Sequence, residues 1–463
     1  MAAPKTAFVL AGGGTKGAFE AGAIRYLVEE AGILPQVLTA ASAGAVAAAV
    51  MAQARSPREF RLRAQELRQD LLAMTHIDHL FAKQPWVESL DGTPFGRVID
   101  SYLTERTRPA VPGPDLSAIL GTPDGRSRWR RAFHLATGSA RALRRAPRTR
   151  RGLRDNAGSV LTLDPLARAL RTGGPTGLLP VDPALIARPG LELRLAVTAL
   201  GAGLLRYVTE DGTIVEADAL TPVAGRGAGP VDVIEGVLAS SSVPMVFPPR
   251  PLADDVYVDG GVLQNIPVEA AVRLGAERIV AVLAVPLVQL PDRRDFTKLN
   301  LMEVFLRTVG AIAFGDRQAT NLRYPLPAGA SLTVIDPVID VVGPFEVAPG
   351  LMLLDMDYGW LRAADVLAPV DDDVRAEAAR ATDALVTART RCWHLEESIW
   401  RSGRADWRKK AGVRDLKLAV REALTEREKL GFPTPPDAER WWSAYEVHGG
   451  PRPPELSADP SAR

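Results

Sequence analysis

Cysteine is almost missing from this chain: Cys392 is the single one in 463 residues. One thiol builds neither a disulfide framework nor a cysteine-rich metal site. Beside Trp393 in a helix-like stretch, Cys392 reads as a packing residue. Histidine is nearly as scarce. His76, His79, His134, His394 and His448 all lie outside the strand-end, glycine-flanked positions that catalytic histidines take. Net charge is +1, from 56 basic and 55 acidic side chains, and favours no class of partner. No apolar run reaches the roughly 20 residues that a membrane-spanning helix needs. No secretory signal is visible, since Met1 to Lys5 leads straight into an apolar run, Thr6 to Ala11. The expectation is a cytoplasmic protein that reaches membranes only from the surface.

What is present is a pair of glycine- and alanine-rich junctions. The first, Gly12-Gly13-Gly14-Thr15-Lys16-Gly17, joins the Thr6 to Ala11 run to a helical pattern over Ala18 to Glu30. Consecutive glycines leave backbone N–H groups unshielded, and the following helix adds the positive end of its dipole. Such a loop holds an oxyanion or a phosphate. A nucleotide-binding enzyme is one reading, but the lysine precedes the last glycine, which is not the P-loop order. Nor does the next strand end in the acidic residue of a dinucleotide fingerprint. It ends at Ala40-Ala41-Ser42-Ala43-Gly44.

That second junction matches the nucleophile-elbow pattern G-x-S-x-G except at its first position, where Ala40 stands for glycine. Small neighbours suit the strained strand-to-helix turn an elbow requires. The same residues also fit an alanine-rich helix start with Ser42 as a plain N-cap. A serine nucleophile needs a base. With the histidines poorly placed, the candidate is Asp259, at the end of a short β-type run and followed by Gly260-Gly261. Asp-Gly-Gly is also a common turn.

In order and spacing these blocks resemble the patatin-like phospholipase family: the glycine loop, the Ser42 block and Asp259-Gly260-Gly261, with Ala239-Ser240-Ser241-Ser242-Val243-Pro244 shortly before the last. The resemblance covers about residues 5 to 365. It implies that Ser42 attacks an ester carbonyl and that Asp259 takes its proton with no histidine between them. It implies an oxyanion hole in Gly12, Gly13, Gly14, Thr15, Lys16 and Gly17, centred on the N–H groups of Gly13, Gly14 and Thr15. Gly44, Gly260 and Gly261 support these turns, while Asn265 and Pro267 shape the loop behind Asp259. The methyl of Ala40 is expected to be tolerated. The implied activity is a serine lipid acyl hydrolase of phospholipase A or lysophospholipase type, with no cofactor and no metal. Alternatives are an acyltransferase using the same acyl-enzyme and a catalytically silent lipid-binding or scaffold protein.

The implied fold is a three-layer α/β/α unit with a mostly parallel central sheet. Strands are expected at Leu191 to Leu200, Leu204 to Val208, Val256 to Val258, Arg278 to Val285 and Ser331 to Ile335, with helices at Pro230 to Ser240 and Pro267 to Leu274. Residues 75–160 read as a helical cap insertion. Within it, 126–154 carries many arginines and no acidic residue, interleaved with Trp129, Phe133, Leu135 and Leu143. A solvated basic face and a contact with anionic membrane both fit this block. No stacking or groove-reading motif accompanies it, so nucleic acid is not an expected partner. The segment Leu299 to Phe314 carries apolar residues at helical spacing and is expected in the core, with part of it facing substrate. Residues 366–432 read as a C-terminal helical extension and 433–463 as a proline-rich tail. In that tail, Trp441-Trp442 are expected to pack back onto the body.

Overall fold

The computed structural model describes residues 4–88, 159–173, 180–224, 229–253, 255–287, 295–298, 304, 308, 312–402 and 407–446. Nine strands form one sheet: β1 Thr6–Leu10, β2 Val37–Ala40, β3 Glu192–Ala199, β4 Leu204–Thr209, β5 Ile214–Glu216, β6 Arg250–Leu252, β7 Asp255–Asp259, β8 Arg278–Val282 and β9 Ser331–Ile335. Five of them, in the order β9-β8-β1-β2-β3, run parallel, and β4 and β5 continue the sheet antiparallel. β1 shows why the centre is buried on both faces. Its side chains alternate, so Phe8 and Leu10 join one core while Ala7 and Val9 join another.

The larger core lies under α1 Gly17–Arg25, α2 Ala43–Met51, α3 Pro57–Ala73, α4 Val233–Ser240 and, farther along, α7 Pro349–Leu367. The opposite face is covered by α5 Val268–Arg273 and α6 Phe314–Leu322. These are the expected α/β/α layers. α3 starts where Ser56 and Glu59 form a reciprocal capping box, with Pro57 in the first turn. α1 and α7 cross in near backbone contact. A Cβ on Gly22 would lie 1.7 Å from the Met356 carbonyl oxygen, and one on Gly359 would lie 1.9 Å from that of Phe19.

α8 Asp372–Ser402 and α9 Trp407–Lys429 form the helical C-terminal region. It is tied to α7 by two buried arginines: Arg427 meets Asp365 at 2.5 Å, and Arg389 meets Asp357 at 3.1 Å. Trp441 packs over the Arg389 guanidinium at 3.9 Å, as expected of a tryptophan that folds back. Cys392 is buried, and burial pushes its thiol well up from its ordinary value.

The expected cap falls mostly outside the described residues, as do the arginine block 126–154, most of Leu299 to Phe314 and the tail beyond residue 446. Of the 75–160 stretch, 75–88 and 159–160 are described. Ala82–Lys83 pairs antiparallel with Leu161–Thr162, so the segment leaves and returns at one place. Phe81 there stacks on Phe247, 5.0 Å between ring centres. Among the described residues no helix is long and apolar enough to cross a membrane.

Candidate active site

β3 organises the site. One of its edges pairs with β4 from Arg194 to Ala199. The other edge is shared: residues 192–195 pair with β2, and residues 197–199 pair with β7 running the opposite way. β2 and β7 therefore point at each other end to end. The residues that follow β2 lead to Ser42, and β7 ends in Asp259. The meeting point lies at the carboxyl edge of the parallel strands, where ligands of open α/β sheets bind.

Ser42 has φ 53° and ψ −127°, a conformation that non-glycine residues rarely adopt. It stands in the N-cap position just before α2, yet its hydroxyl makes no cap hydrogen bond. The hydroxyl is close enough to the Asp259 carboxyl to draw that group's pKa down. A positive φ and an uncapping hydroxyl are unlike a plain helix start. Two serines hold the turn. The Ser42 N–H donates to Ser240 Oγ at 3.1 Å, and Ser241 Oγ donates to the Ser42 carbonyl at 3.1 Å. The next residue, Ser242, accepts the Asp259 N–H at 2.9 Å. One short segment at the end of α4 thus positions both members of the pair. Ala40 lies inside β2, where an extended backbone accommodates a Cβ, which explains why a methyl fits there. Gly44 cannot gain one, because its Cβ would lie 2.6 Å from the Leu10 carbonyl oxygen.

Asp259 is 4% exposed. Burial raises its carboxyl to about 7, against the opposing pull of the Ser42 hydroxyl and the Gly261 N–H. That N–H donates to Asp259 Oδ1 at 2.7 Å. Asn265 ties this loop to the glycine loop through two hydrogen bonds with Gly12: the Gly12 N–H donates to Oδ1 at 3.1 Å, and Nδ2 donates to the Gly12 carbonyl at 3.2 Å.

The glycine loop divides into occupied and open donors. Gly12 is held by Asn265. The Thr15 N–H donates to the Pro344 carbonyl at 3.1 Å, and Gly17 closes the helical turn onto Gly14 and Thr15. The N–H groups of Gly13 and Gly14 carry no hydrogen bond to the described residues. The donor trio expected from the sequence thus narrows to two, because the Pro344 carbonyl takes Thr15. Lys16 is buried and turned to Asp340, 2.5 Å from its Oδ1, so its charge holds the loop in place.

Three contributors had no signal in the sequence: Asp340, the Gly343-Pro344 stretch and Glu20. Each is ordinary in its own stretch of chain and acquires its place only in the fold. Glu20 is fully buried, with neither carboxyl oxygen in a hydrogen bond. Burial raises it well above the usual carboxylate range, opposed by the Ala11 backbone. Among the described residues no cluster of His, Cys, Asp and Glu could hold a metal ion.

A family model described as patatin-like phospholipase matches residues 8–272. No curated protein matches the chain. Among solved structures, it is similar to VipD from Legionella pneumophila, with 16% identity, a TM-score of 0.29, and 95% of this chain and 90% of that one covered. It is also similar to the heterodimeric ExoU–SpcU complex from the type III secretion system of Pseudomonas aeruginosa, with 18% identity, a TM-score of 0.24, and coverage of 95% and 68%. A third similarity is to the type III effector protein ExoU, with 16% identity, a TM-score of 0.21, and coverage of 95% and 72%.

Proposed function

Because the chain belongs to the patatin-like phospholipase family and is thereby a lipid hydrolase in the general sense, we propose that it cleaves carboxylic esters of phospholipids or lysophospholipids through a Ser42 acyl-enzyme, with Asp259 as the base. The observation that carries this reading is geometric: two strands meet end to end on β3 and bring Ser42, in a strained backbone conformation, to the buried carboxyl of Asp259, whose pKa burial pushes up to about 7. General bases work best with a pKa near the operating pH.

In the first step Ser42 Oγ attacks the ester carbonyl carbon and its proton passes to Asp259. The carbonyl oxygen becomes an oxyanion, held by the N–H groups of Gly13 and Gly14; losing one such donor costs about 10²–10³ in turnover. The tetrahedral carbon then expels the alcohol portion of the lipid, which takes the proton from Asp259. In the second step water attacks the acyl-enzyme and gives its proton to Asp259. That proton returns to Ser42 Oγ as the free fatty acid departs. Buried Asp259 reacts as carboxylate, and Lys16, paired with Asp340, positions the loop.

The test is fatty-acid release from mixed phospholipid vesicles by wild type, Ser42→Ala and Asp259→Asn, each checked for folding. Release by wild type alone supports the reading. Activity retained in folded Ser42→Ala contradicts it. Acyl transfer to an added alcohol in preference to water would replace hydrolysis with acyltransfer on the same pair.

A further inference from the structure

The hairpin between β3 and β4 turns through Leu200-Gly201-Ala202-Gly203. Hairpin tips usually carry Asn, Asp or Ser beside glycine, because these residues satisfy the turn and face water. This tip has no polar side chain and is exposed throughout, with Leu200 at 51% and Leu204 at 52%. It stands about 10 Å beyond Asp259, three residues along β3 from Val197, which pairs with Asp259. A neighbour extends the apolar surface. Val256, whose carbonyl accepts the Leu200 N–H, adds a third exposed large apolar side chain beside Leu200 and Leu204.

The tip's backbone is equally distinctive. The Leu200 N–H donates to the Val256 carbonyl at 2.8 Å, and that of Gly203 donates to Ala199 at 2.9 Å. The N–H groups of Gly201 and Ala202 are taken by the two carboxyl oxygens of Asp255, at 2.8 and 3.0 Å. All four donors of the turn are satisfied from within. A loop with spent donors and apolar side chains can enter the headgroup layer of a lipid interface, where its free carbonyls still meet water.

From this combination we infer that the Leu200–Leu204 tip is the element that inserts into the lipid surface, seating the carboxyl edge of the sheet on it. The inference rests on the lipid-ester reading of the site for its choice of occupant. Binding can nonetheless be measured without catalysis. Asp255 serves as the brace that holds the tip in shape. Insertion of this kind depends on buried apolar area and resists salt, whereas attraction between basic side chains and anionic lipid weakens as salt rises.

The experiment uses the full chain carrying Ser42→Ala, so that vesicles stay intact. Leu204→Cys is labelled with an environment-sensitive fluorophore; buried Cys392 is shielded from the reagent. Phosphatidylcholine vesicles should shift the emission to the blue and raise it, equally at low and high salt. In flotation, Leu200→Asp with Leu204→Asp should weaken vesicle binding at least about tenfold. In the Ser42 parent the same pair should depress vesicle hydrolysis while leaving hydrolysis of a short water-soluble ester unchanged. An unshifted label, or wild-type vesicle binding by the double variant, overturns the inference. If the label inserts but the parent hydrolyses neither lipid nor soluble ester, the insertion stands and the hydrolase reading fails.

Discussion

At Asp259, stability and catalysis pull in opposite directions. The carboxyl titrates at about 7 in the folded chain, against ~3.9 for an unperturbed aspartate. The folded state therefore holds the proton more tightly than the unfolded one, so stability declines as pH rises from ~4 to ~7 and is level above that. Asp259→Asn removes the penalty. Its Tm should exceed that of wild type by a margin that opens across this window, as thermal melts at pH 4, 6 and 8 would show, although the variant is inactive. Ser240→Ala leaves the buried Ser42 N–H without its acceptor. It should cost about 1–3 kcal/mol in denaturant titrations and lower kcat more than it raises KM. The proposed pair, Ser42 and Asp259, and the glycine loop stand out in the sequence, because an elbow and an oxyanion loop would demand small residues at fixed places. Ser240 and Ser241 were visible only through resemblance. Asp340, more than 300 residues from Lys16, left no local trace.

Among elements, β9 falls at its expected bounds, and β3, β4 and β8 lie within two or three residues of theirs. Each is an apolar run of ordinary length between turn signals. β5 and β6 escaped notice because three residues carry no period. α7 escaped for a different reason: it is buried on nearly every side and shows no amphipathic stripe. Its position depends on the glycine crossing with α1, the helix that follows the glycine loop. Gly359→Ala places a methyl against the Phe19 carbonyl. It should destabilise the fold by about 1–3 kcal/mol through overpacking, read as a lower denaturant midpoint, with site activity falling alongside.

Across the whole molecule, the C-terminal helices are joined to the α/β unit by buried charges rather than apolar contact alone. Asp365→Ala would leave Arg427, fully buried, without its partner. Breaking a buried pair in this way costs about 3–5 kcal/mol. Protease sensitivity of α8 and α9 should rise in that variant, while a change to a matched apolar pair at both positions should restore resistance. The sequence showed a helical extension here but not its docking, since which arginine meets which aspartate depends on the crossing of three helices.

The most direct test of a histidine-free serine–aspartate pair is the rate of fluorophosphonate labelling as a function of pH, with the modified residue mapped. Labelling should fall on Ser42, rise with pH to a plateau with a midpoint near 7, the value for Asp259, and drop by about 10²–10⁴ in Asp259→Asn. Labelling at another residue, or a rate at Ser42 indifferent to Asp259, would contradict the pair.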